Sequence, residues 1–250
     1  QALIIPPSHN MVIYGMAAGG VSTGRLFLAG MLPGLLLAAC MMFIVARVTK
    51  KRHYPRGPRY TLKQSLRILA DGALGLMTIV IILLGVCTGI FTVTESAAIA
   101  CVYAFILTFL VYREVKLREL WSILKRSLGT LAMILSIIAA ANAFCYLMSL
   151  MQVPARVTNL LLQVSDNKYI ILFLINILLL ILGCFMDVMA AILLTVSILY
   201  PVVLSLGYSP IWFGVIVVRL MEMGMVTPPF GLNLFAIAKT TGEKMGVVYR

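Results

Sequence analysis

Charged residues are scarce in this chain of 250 residues, where they make up 11% of the positions. Soluble domains average about a quarter charged residues. Hydrophobic residues occupy 62% of the sequence. Apolar runs such as 26–45 and 128–150 are as long as the roughly 20 residues that a helix needs to cross a bilayer. We therefore predict an all-α polytopic membrane protein.

Histidine is rarer still: the chain has 2, which is too few for a typical metal site. The sequence also lacks the Walker A loop of nucleotide-driven pumps and the HExxH and GxSxG motifs of hydrolases. Its 5 cysteines stand singly in apolar segments, without the paired spacing of a metal or redox centre. We predict that the chain is not an enzyme and holds no cofactor.

Acidic residues are few, so the formal net charge is +12. Such a charge could indicate a nucleic-acid partner, but the basic residues cluster in two connectors, 47–67 and 113–126. Short basic connectors between spans mark the cytoplasmic side of a membrane protein. The charge therefore predicts orientation and contact with the lipid bilayer, and no nucleic acid.

The apolar runs and basic connectors divide the chain into four segments. We assign 1–20 to the second arm of a first re-entrant hairpin, and 21–71 to a transmembrane helix, a basic cytoplasmic loop and an interfacial arm. Two scaffold helices and another interfacial arm follow in 72–126. The last segment, 127–250, is predicted to be the second half of a transport domain, with a broken helix and a second re-entrant hairpin. Both ends are interpreted as truncations, so we expect a fragment.

Residues 170–206 form a long apolar stretch, about 55 Å if wholly helical. This length suits either two short spans or one interrupted crossing. The positive-inside rule favours one crossing, because the basic residues Lys239 and Lys244 then lie in the cytoplasm.

A repeated double proline is the main sign of function. Residues 5–10 read Ile-Pro-Pro-Ser-His-Asn, and residues 227–233 read Thr-Pro-Pro-Phe-Gly-Leu-Asn. Two prolines remove two backbone donors, so a helix cannot continue undisturbed. A kinked helix is the alternative. We favour re-entrant hairpins, because the run 211–225 before the second break is about 22 Å long, short of the roughly 30 Å hydrocarbon core. On this topology the two breaks open to opposite faces, as in inverted-repeat secondary transporters.

Several polar residues in these apolar segments are candidates for function. Asp187 is an acid at membrane depth and is interpreted as a sodium ligand or as a cap of the following helix. Arg219 and Glu222 are spaced to meet on one helix face, either as a local ion pair or to recognise a substrate carboxylate. Glu95 is expected to cap a helix or to lie at the membrane interface, and His9 is a weaker candidate for substrate contact.

Five blocks of the sequence resemble successive blocks of the TRAP (tripartite ATP-independent periplasmic) transporter large permease subunit, the dicarboxylate-type M subunit of the ion transporter superfamily. These blocks are 5–8, 26–34, 89–98, 183–187 and 226–235. The resemblance implies an elevator-type, Na⁺-coupled symporter for organic acids, such as C4-dicarboxylates, in the bacterial inner membrane. It also implies two partners, a small four-helix membrane subunit and a periplasmic solute-binding protein. Val93 and Ser197 stand where the family usually has proline.

The resemblance and the residue patterns together give the candidate site residues. The proposed sodium-binding residues are Gly183, Asp187, Thr227, Pro228 and Gly231. The proposed substrate-binding or tip residues are Pro6, Pro7, Ser8, Asn10, Asn233 and Arg219. Two alternative functions stay open, a binding-protein-independent carrier of the same superfamily and a non-transporting membrane or channel subunit.

Overall fold

The computed structural model of the chain describes residues 5–52, 61–113, 115–164, 167–228, 231–242 and 245–248. All regular elements in these ranges are helical, which confirms the predicted all-α class. The helices are α1 (His9–Ala17), α2 (Thr23–Arg52), α3 (Leu62–Cys87), α4 (Val93–Ile106), α5 (Leu117–Leu150), α6 (Val153–Val164), α7 (Lys168–Phe185), α8 (Val188–Ser205), α9 (Pro210–Val226), α10 (Leu232–Thr241) and α11 (Met245–Val248). A π-helical turn, Leu107–Val111, extends α4.

Five helices in the described residues are long and apolar enough to cross a membrane, so the predicted polytopic membrane protein is confirmed. They are Thr23–Lys51, Val93–Val111, Arg118–Leu150, Lys168–Phe185 and Val188–Ser205. Helix α3 adds a sixth candidate, which bends by 53° between Leu62–Ala70 and Gly72–Cys87. This bend falls between the arm and the span that the sequence predicts there.

Helix α5 differs from the predicted pattern of a short interfacial arm followed by a separate span. It runs without interruption from Leu117 to Leu150. Its interior contains no proline, and Gly129 alone does not break it. A single glycine lowers helix propensity by only about 1 kcal/mol, which a continuous apolar helix easily tolerates.

Contacts divide the chain into two units. Unit 1 comprises residues 1–7 and 30–129, and unit 2 comprises residues 8–29 and 130–250. Unit 1 contains the packed pair α3 and α4, whereas α1 and α6 to α10 belong to unit 2.

Unit 1 is organised around the turn between α3 and α4. The Thr92 hydroxyl accepts a hydrogen bond from the Glu95 amide at 3.3 Å, and the Glu95 carboxylate accepts one from the Thr92 amide at 2.7 Å. These reciprocal bonds form a capping box, which confirms the predicted role of Glu95. Val93 is therefore the first helical residue, the position that best tolerates proline, and valine there leaves the cap intact.

In unit 2, helices α7 and α9 lie side by side and run in the same direction. Near their beginnings, the Lys168 ammonium lies 6.0 Å from the centroid of the Tyr208 ring. Near their ends, Gly183 contacts Met221 and Gly224. Helix α8 connects the end of α7 to the beginning of α9, so it must run antiparallel to α7.

The stretch 168–205 is therefore a helical hairpin, and the favoured prediction of one interrupted crossing is wrong. Apolar length is the same for both arrangements, so it could not distinguish them. The chain reverses at Met186 and Asp187, which both have extended backbone angles. The alternative of two short spans fits this arrangement, because α7 and α8 are each long and apolar enough to cross a membrane.

Helix α1 is fixed to the beginning of α9 by one aromatic side chain. The Tyr14 hydroxyl donates a hydrogen bond to the Pro210 carbonyl at 2.7 Å, and the Tyr14 ring lies edge-on to Phe213 at 6.3 Å. Gly214 leaves room for this ring: a Cβ atom there would lie 2.7 Å from Tyr14 Cδ1 and 2.8 Å from Leu26 Cδ2. Tyr14 and Phe213 are fully buried, so this contact is part of the core of unit 2.

Ser197 does not disturb α8. Its hydroxyl donates to the Leu193 carbonyl at 3.1 Å, one turn earlier, and accepts from the Cys145 thiol at 3.1 Å. The helix continues through this position and ends at Ser205. Serine in place of the family's usual proline therefore keeps the backbone amide of this position and adds a polar contact to α5.

Candidate ion and substrate site

The tip of the α7–α8 hairpin holds the first group of candidate residues. Asp187 is exposed there, and its Oδ2 accepts a hydrogen bond from the Met189 amide at 3.0 Å. Asp187 is thus the N-cap of α8, which is one of the two roles considered for it. A carboxylate has two oxygens, so capping α8 with one leaves the other available to a cation.

Two glycines bring this tip close to the end of α9. A Cβ atom on Gly224 would lie 2.7 Å from Gly183 Cα and 2.8 Å from the Cys184 amide nitrogen. A Cβ atom on Gly183 would lie 3.0 Å from Met221 Cα. The backbones are therefore in direct contact, as small residues allow where membrane helices cross.

The chain is interrupted again just after this contact. The Thr227 amide donates to the Gly224 carbonyl at 3.0 Å, and its hydroxyl donates to the Met223 carbonyl at 2.6 Å. Gly231 has φ +38° and is the N-cap of α10. A left-handed backbone favours glycine. Pro229 and Phe230, also in this predicted tip, lie outside the described residues.

The interruptions at 186–187 and 227–231 therefore lie side by side in unit 2. Each one follows a helix end, where backbone carbonyls lack partners within the helix and carry a partial negative charge. Each one also precedes a helix start, where free amides carry a partial positive charge. Such a place can bind a cation on one side and an anion on the other.

Each double proline is followed by a short helix that ends at a glycine. Helix α1 has 9 residues, and Gly19 behind it has φ +77°. Helix α10 has 10 residues, and Gly242 behind it has φ +72°. Asn10 and Asn233 occupy the same place, the second residue of the helix that follows each double proline. The repeat in sequence therefore extends to local structure.

The two repeats differ in their surroundings. The first is closely packed: Ser8 is 1% exposed and its hydroxyl accepts from the Met11 amide at 3.5 Å, while Asn10 is fully buried. Pro6 is buried, whereas Pro7 and His9 are exposed. In the second repeat, Asn233 is exposed.

Most of the described side chains of helix α10 are exposed. Leu234, in its first turn, is buried, but the residues that follow, 235–237, are exposed. The arm of a packed hairpin would bury one face along its length. The described residues therefore do not show α10 packed back along α9, and the helical hairpin that they do show is α7–α8.

The local ion pair predicted between Arg219 and Glu222 is not formed at contact distance, although the two opposite charges interact electrostatically. No ion pair within 4.0 Å joins them, and neither pairs with another described residue. Arg219 is partly buried and Glu222 is 8% exposed. Of the two readings of this pair, recognition of a ligand is the one that the structure leaves open.

Sequence reasoning missed Gly224. It named Gly183 as a possible ligand, but not the partner that lets the two helices touch. A glycine within an apolar helix, a few residues before a break, is a signal that could have found it.

Comparison with known proteins assigns the chain to a family. The family model described as "Tripartite ATP-independent periplasmic transporter, DctM component" matches residues 1–249. The chain belongs to the DctM family. This confirms the resemblance to the TRAP large permease subunit, and with the apolar helices it places the chain in the bacterial inner membrane as a multi-pass protein.

Relatives within the DctM family are similar over nearly the whole chain. The uncharacterized protein YgiK of Salmonella typhimurium is 39% identical over 97% of this chain. The C4-dicarboxylate TRAP transporter large permease protein DctM of Pseudomonas aeruginosa is 38% identical over 99% of it. The sialic acid TRAP transporter large permease protein SiaM of Vibrio cholerae is 36% identical over 94% of it. The chain spans about half the length of these relatives, namely 56%, 58% and 55%. The last two relatives are thus named as large permease proteins of TRAP transporters.

Proposed function

We propose that this chain is part of the large membrane subunit of a Na⁺-coupled TRAP-type transporter that takes up small organic acids. The family description names a tripartite, periplasmic transporter, which supports two further components. We assign these as a small membrane subunit and a periplasmic solute-binding protein that delivers the substrate. The relatives' names include a C4-dicarboxylate and sialic acid. Family membership therefore does not identify which acid this protein transports.

The observation that carries this proposal is the direct contact between Gly183 and Gly224. It holds two interruptions of the backbone next to each other inside one unit. At membrane depth, irregular backbone is tolerated only where it lines an enclosed cavity or is buried in protein. Paired interruptions of this kind form the ion and substrate sites of secondary transporters.

The sodium site would use the groups that end α7 and α9 and begin α8 and α10. Backbone carbonyls near Gly183 and Pro228, the Asp187 carboxylate and the Thr227 hydroxyl are hard oxygen donors suited to Na⁺. Gly231 lets the backbone come close to the ion.

The substrate carboxylate would bind at the amides that begin the helices after the breaks. Asn233 belongs to the second of these. Pro6, Pro7, Ser8 and Asn10 belong to the first, which we assign to the other half-site.

Transport would be of the elevator type. Unit 2 carries α1 and the helices on both sides of the 186–187 and 227–231 interruptions, and we propose it as the moving transport domain. We propose α3 and α4 of unit 1 as scaffold helices.

The test is uptake by the full-length subunit with its partner subunit in liposomes, with purified binding protein outside. Radiolabelled succinate and sialic acid are supplied with an inward Na⁺ gradient or an equal K⁺ gradient. We expect uptake of one acid with Na⁺ only. Equal uptake with K⁺ would refute Na⁺ coupling, and full uptake without binding protein would favour the independent carrier.

Asp187 can be tested separately, because asparagine also caps helices but carries no charge. Asp187→Asn should leave folding unchanged and raise the Na⁺ concentration for half-maximal uptake about tenfold or more, since charged ligands bind a cation more strongly. Asp187→Ala should in addition destabilise α8. An unchanged Na⁺ dependence in Asp187→Asn would remove this residue from the sodium site.

A further inference from the structure

Two charged side chains on α9 have buried atoms without a hydrogen-bond partner among the described residues. These atoms are Nε and Nη2 of Arg219 and Oε1 of Glu222. Leaving a charged group buried and unpaired is costly, so such groups are normally completed by a partner. Glu222, at 8% exposure, is more than nine-tenths buried.

The charged groups on the neighbouring helices do not complete this pair. Helix α9 packs against α1, α7, α8 and α10. On α1, His9 is exposed, and on α10, Lys239 is exposed. On α7, the Lys168 ammonium lies over the ring of Tyr208, before α9 begins. Beside α8, the Asp187 carboxylate caps the helix. Arg219 and Glu222 attract each other electrostatically. Their buried hydrogen-bonding atoms nevertheless have no partner on these helices and are left to a group from outside them.

The chemistry of the unpaired atoms defines that group. Nε–H and Nη2–H of arginine form one edge of the guanidinium, and this edge matches the two oxygens of a carboxylate. An ionised Glu222 only accepts hydrogen bonds, so it needs a hydroxyl or an ammonium donor. Residues three apart on a helix have Cβ atoms about 5–6 Å apart, so one small molecule can reach both side chains.

The position of the pair links it to the proposed ion site. Glu222 directly follows Met221, whose Cα would lie 3.0 Å from a Cβ atom on Gly183. It precedes Thr227 by five residues, about 7.5 Å along a helix. A molecule bound here would therefore lie close to both interruptions of the backbone.

We propose that Arg219 and Glu222 bind the substrate together, with Arg219 holding its carboxylate and Glu222 accepting from a hydroxyl or ammonium group nearby. This inference rests on the proposed function. It narrows the substrate from organic acids in general to hydroxy- or amino-carboxylic acids.

The test compares acids that differ by hydroxyl groups: malate with succinate, lactate with propionate, and gluconate with hexanoate. Binding to the full-length subunit with its membrane partner is measured by calorimetry in detergent and NaCl, without binding protein. At least one hydroxy acid should bind about tenfold or more tightly than its deoxy partner, because a site built to accept from a hydroxyl rejects the analogue lacking it. Equal affinities in all three pairs, or no binding in any, would overturn the proposal.

Variants assign the two roles. Glu222→Leu should abolish the preference for the hydroxy acid, whereas Glu222→Gln, which keeps an acceptor oxygen, should retain it. Arg219→Lys should weaken both members of a pair about tenfold, because lysine lacks the planar fork. Arg156→Gln, at an exposed basic residue of α6, is the matched control and should change nothing. Monodispersity of each variant checks its folding.

These outcomes separate this inference from the proposed function, because binding at equilibrium needs no ion gradient. Na⁺-driven uptake without any hydroxy-acid preference would refute the Arg219–Glu222 site alone. A hydroxy-acid preference that depends on both residues, without Na⁺-driven uptake, would refute the proposed coupling alone. Variants that are less stable but bind all six acids as the wild type does would show that the pair is only structural.

Discussion

The two units each contain a close approach between helices at a glycine, but the contacts differ in kind. In unit 2, Gly224 meets backbone atoms of α7, the nearest being those of Gly183 and Cys184. In unit 1, Gly85 meets side chains only: a Cβ atom there would lie 2.6 Å from Ser96 Oγ and 3.2 Å from Phe91 Cδ2.

This difference determines how far the neighbouring atoms of each glycine can move to make room for an added methyl group. A serine hydroxyl rotates about one bond, and an exposed phenyl ring can shift. A helix backbone cannot move locally without disturbing its own hydrogen bonds. Unit 2 therefore has a rigid contact beside its candidate site, whereas the contact in unit 1 can relax.

Gly224→Ala should have the largest effect. The added methyl group would overlap the α7 backbone, and overpacking costs about 1–3 kcal/mol or more. Alanine's better helix propensity offsets about 1 kcal/mol of this. We expect a net loss of about 2 kcal/mol, the upper overpacking cost less the gain in propensity, and loss of uptake. Thermal unfolding of the purified full-length protein in detergent measures the first effect. An unchanged midpoint would contradict the rigid contact.

Thr92→Ala should have a smaller effect, confined to the turn of unit 1. It removes the side-chain half of the capping box with Glu95, and loss of an N-cap costs about 1 kcal/mol. Uptake by the folded protein should persist. Thr92→Ser, which keeps the hydroxyl, is the control and should unfold at nearly the same temperature as the wild type. Equal losses in the two variants would argue against a role for the cap.

Gly75→Ala should stabilise the protein slightly. Gly75 lies inside α3, and a Cβ atom there would meet nothing within 4 Å. Alanine in a helix interior is favoured over glycine by about 0.5–1 kcal/mol. A small rise in the unfolding midpoint is expected. A fall would mean that this face of α3 is covered in the full-length protein.

Gly85→Ala should be nearly neutral, within about 0.5 kcal/mol of the wild type. The gain in helix propensity is offset by the shift of Ser96 and Phe91. Measured beside Gly224→Ala, this variant decides whether the two contacts differ as proposed. If both alanines destabilised the protein equally, the distinction between a rigid and an adaptable contact would be wrong.

Helix class and most spans could be predicted from the sequence, because lipid demands long apolar helices with satisfied backbones. The cap at Glu95 also followed from local pattern alone. The direction of α8, in contrast, could not be predicted from the sequence. Apolar length does not distinguish a hairpin from an interrupted crossing, and only the contact between α7 and α9 shows the reversal.

The candidate site was predictable to a similar degree. The double prolines gave the positions of the breaks, and Asp187 stood out as an acid in an apolar stretch. The missing partner of Gly183 depends on how α7 packs against α9, which no local pattern records. The expected Arg219–Glu222 pair failed for the same reason, because helix spacing permits such a pair but side-chain surroundings decide it.

At the glycine contact between α7 and α9, no side chain lies between the two backbones. There is therefore no side chain that could change its rotamer and absorb a small movement of either helix. A shift of the hairpin tip is therefore passed directly to the segment around Thr227, and the reverse also holds. If ligands bind at both interruptions as proposed, occupancy of one would alter affinity at the other, and thermodynamic reciprocity would make that influence equal in both directions. Under this proposal, two glycines would provide the energetic coupling between the sites.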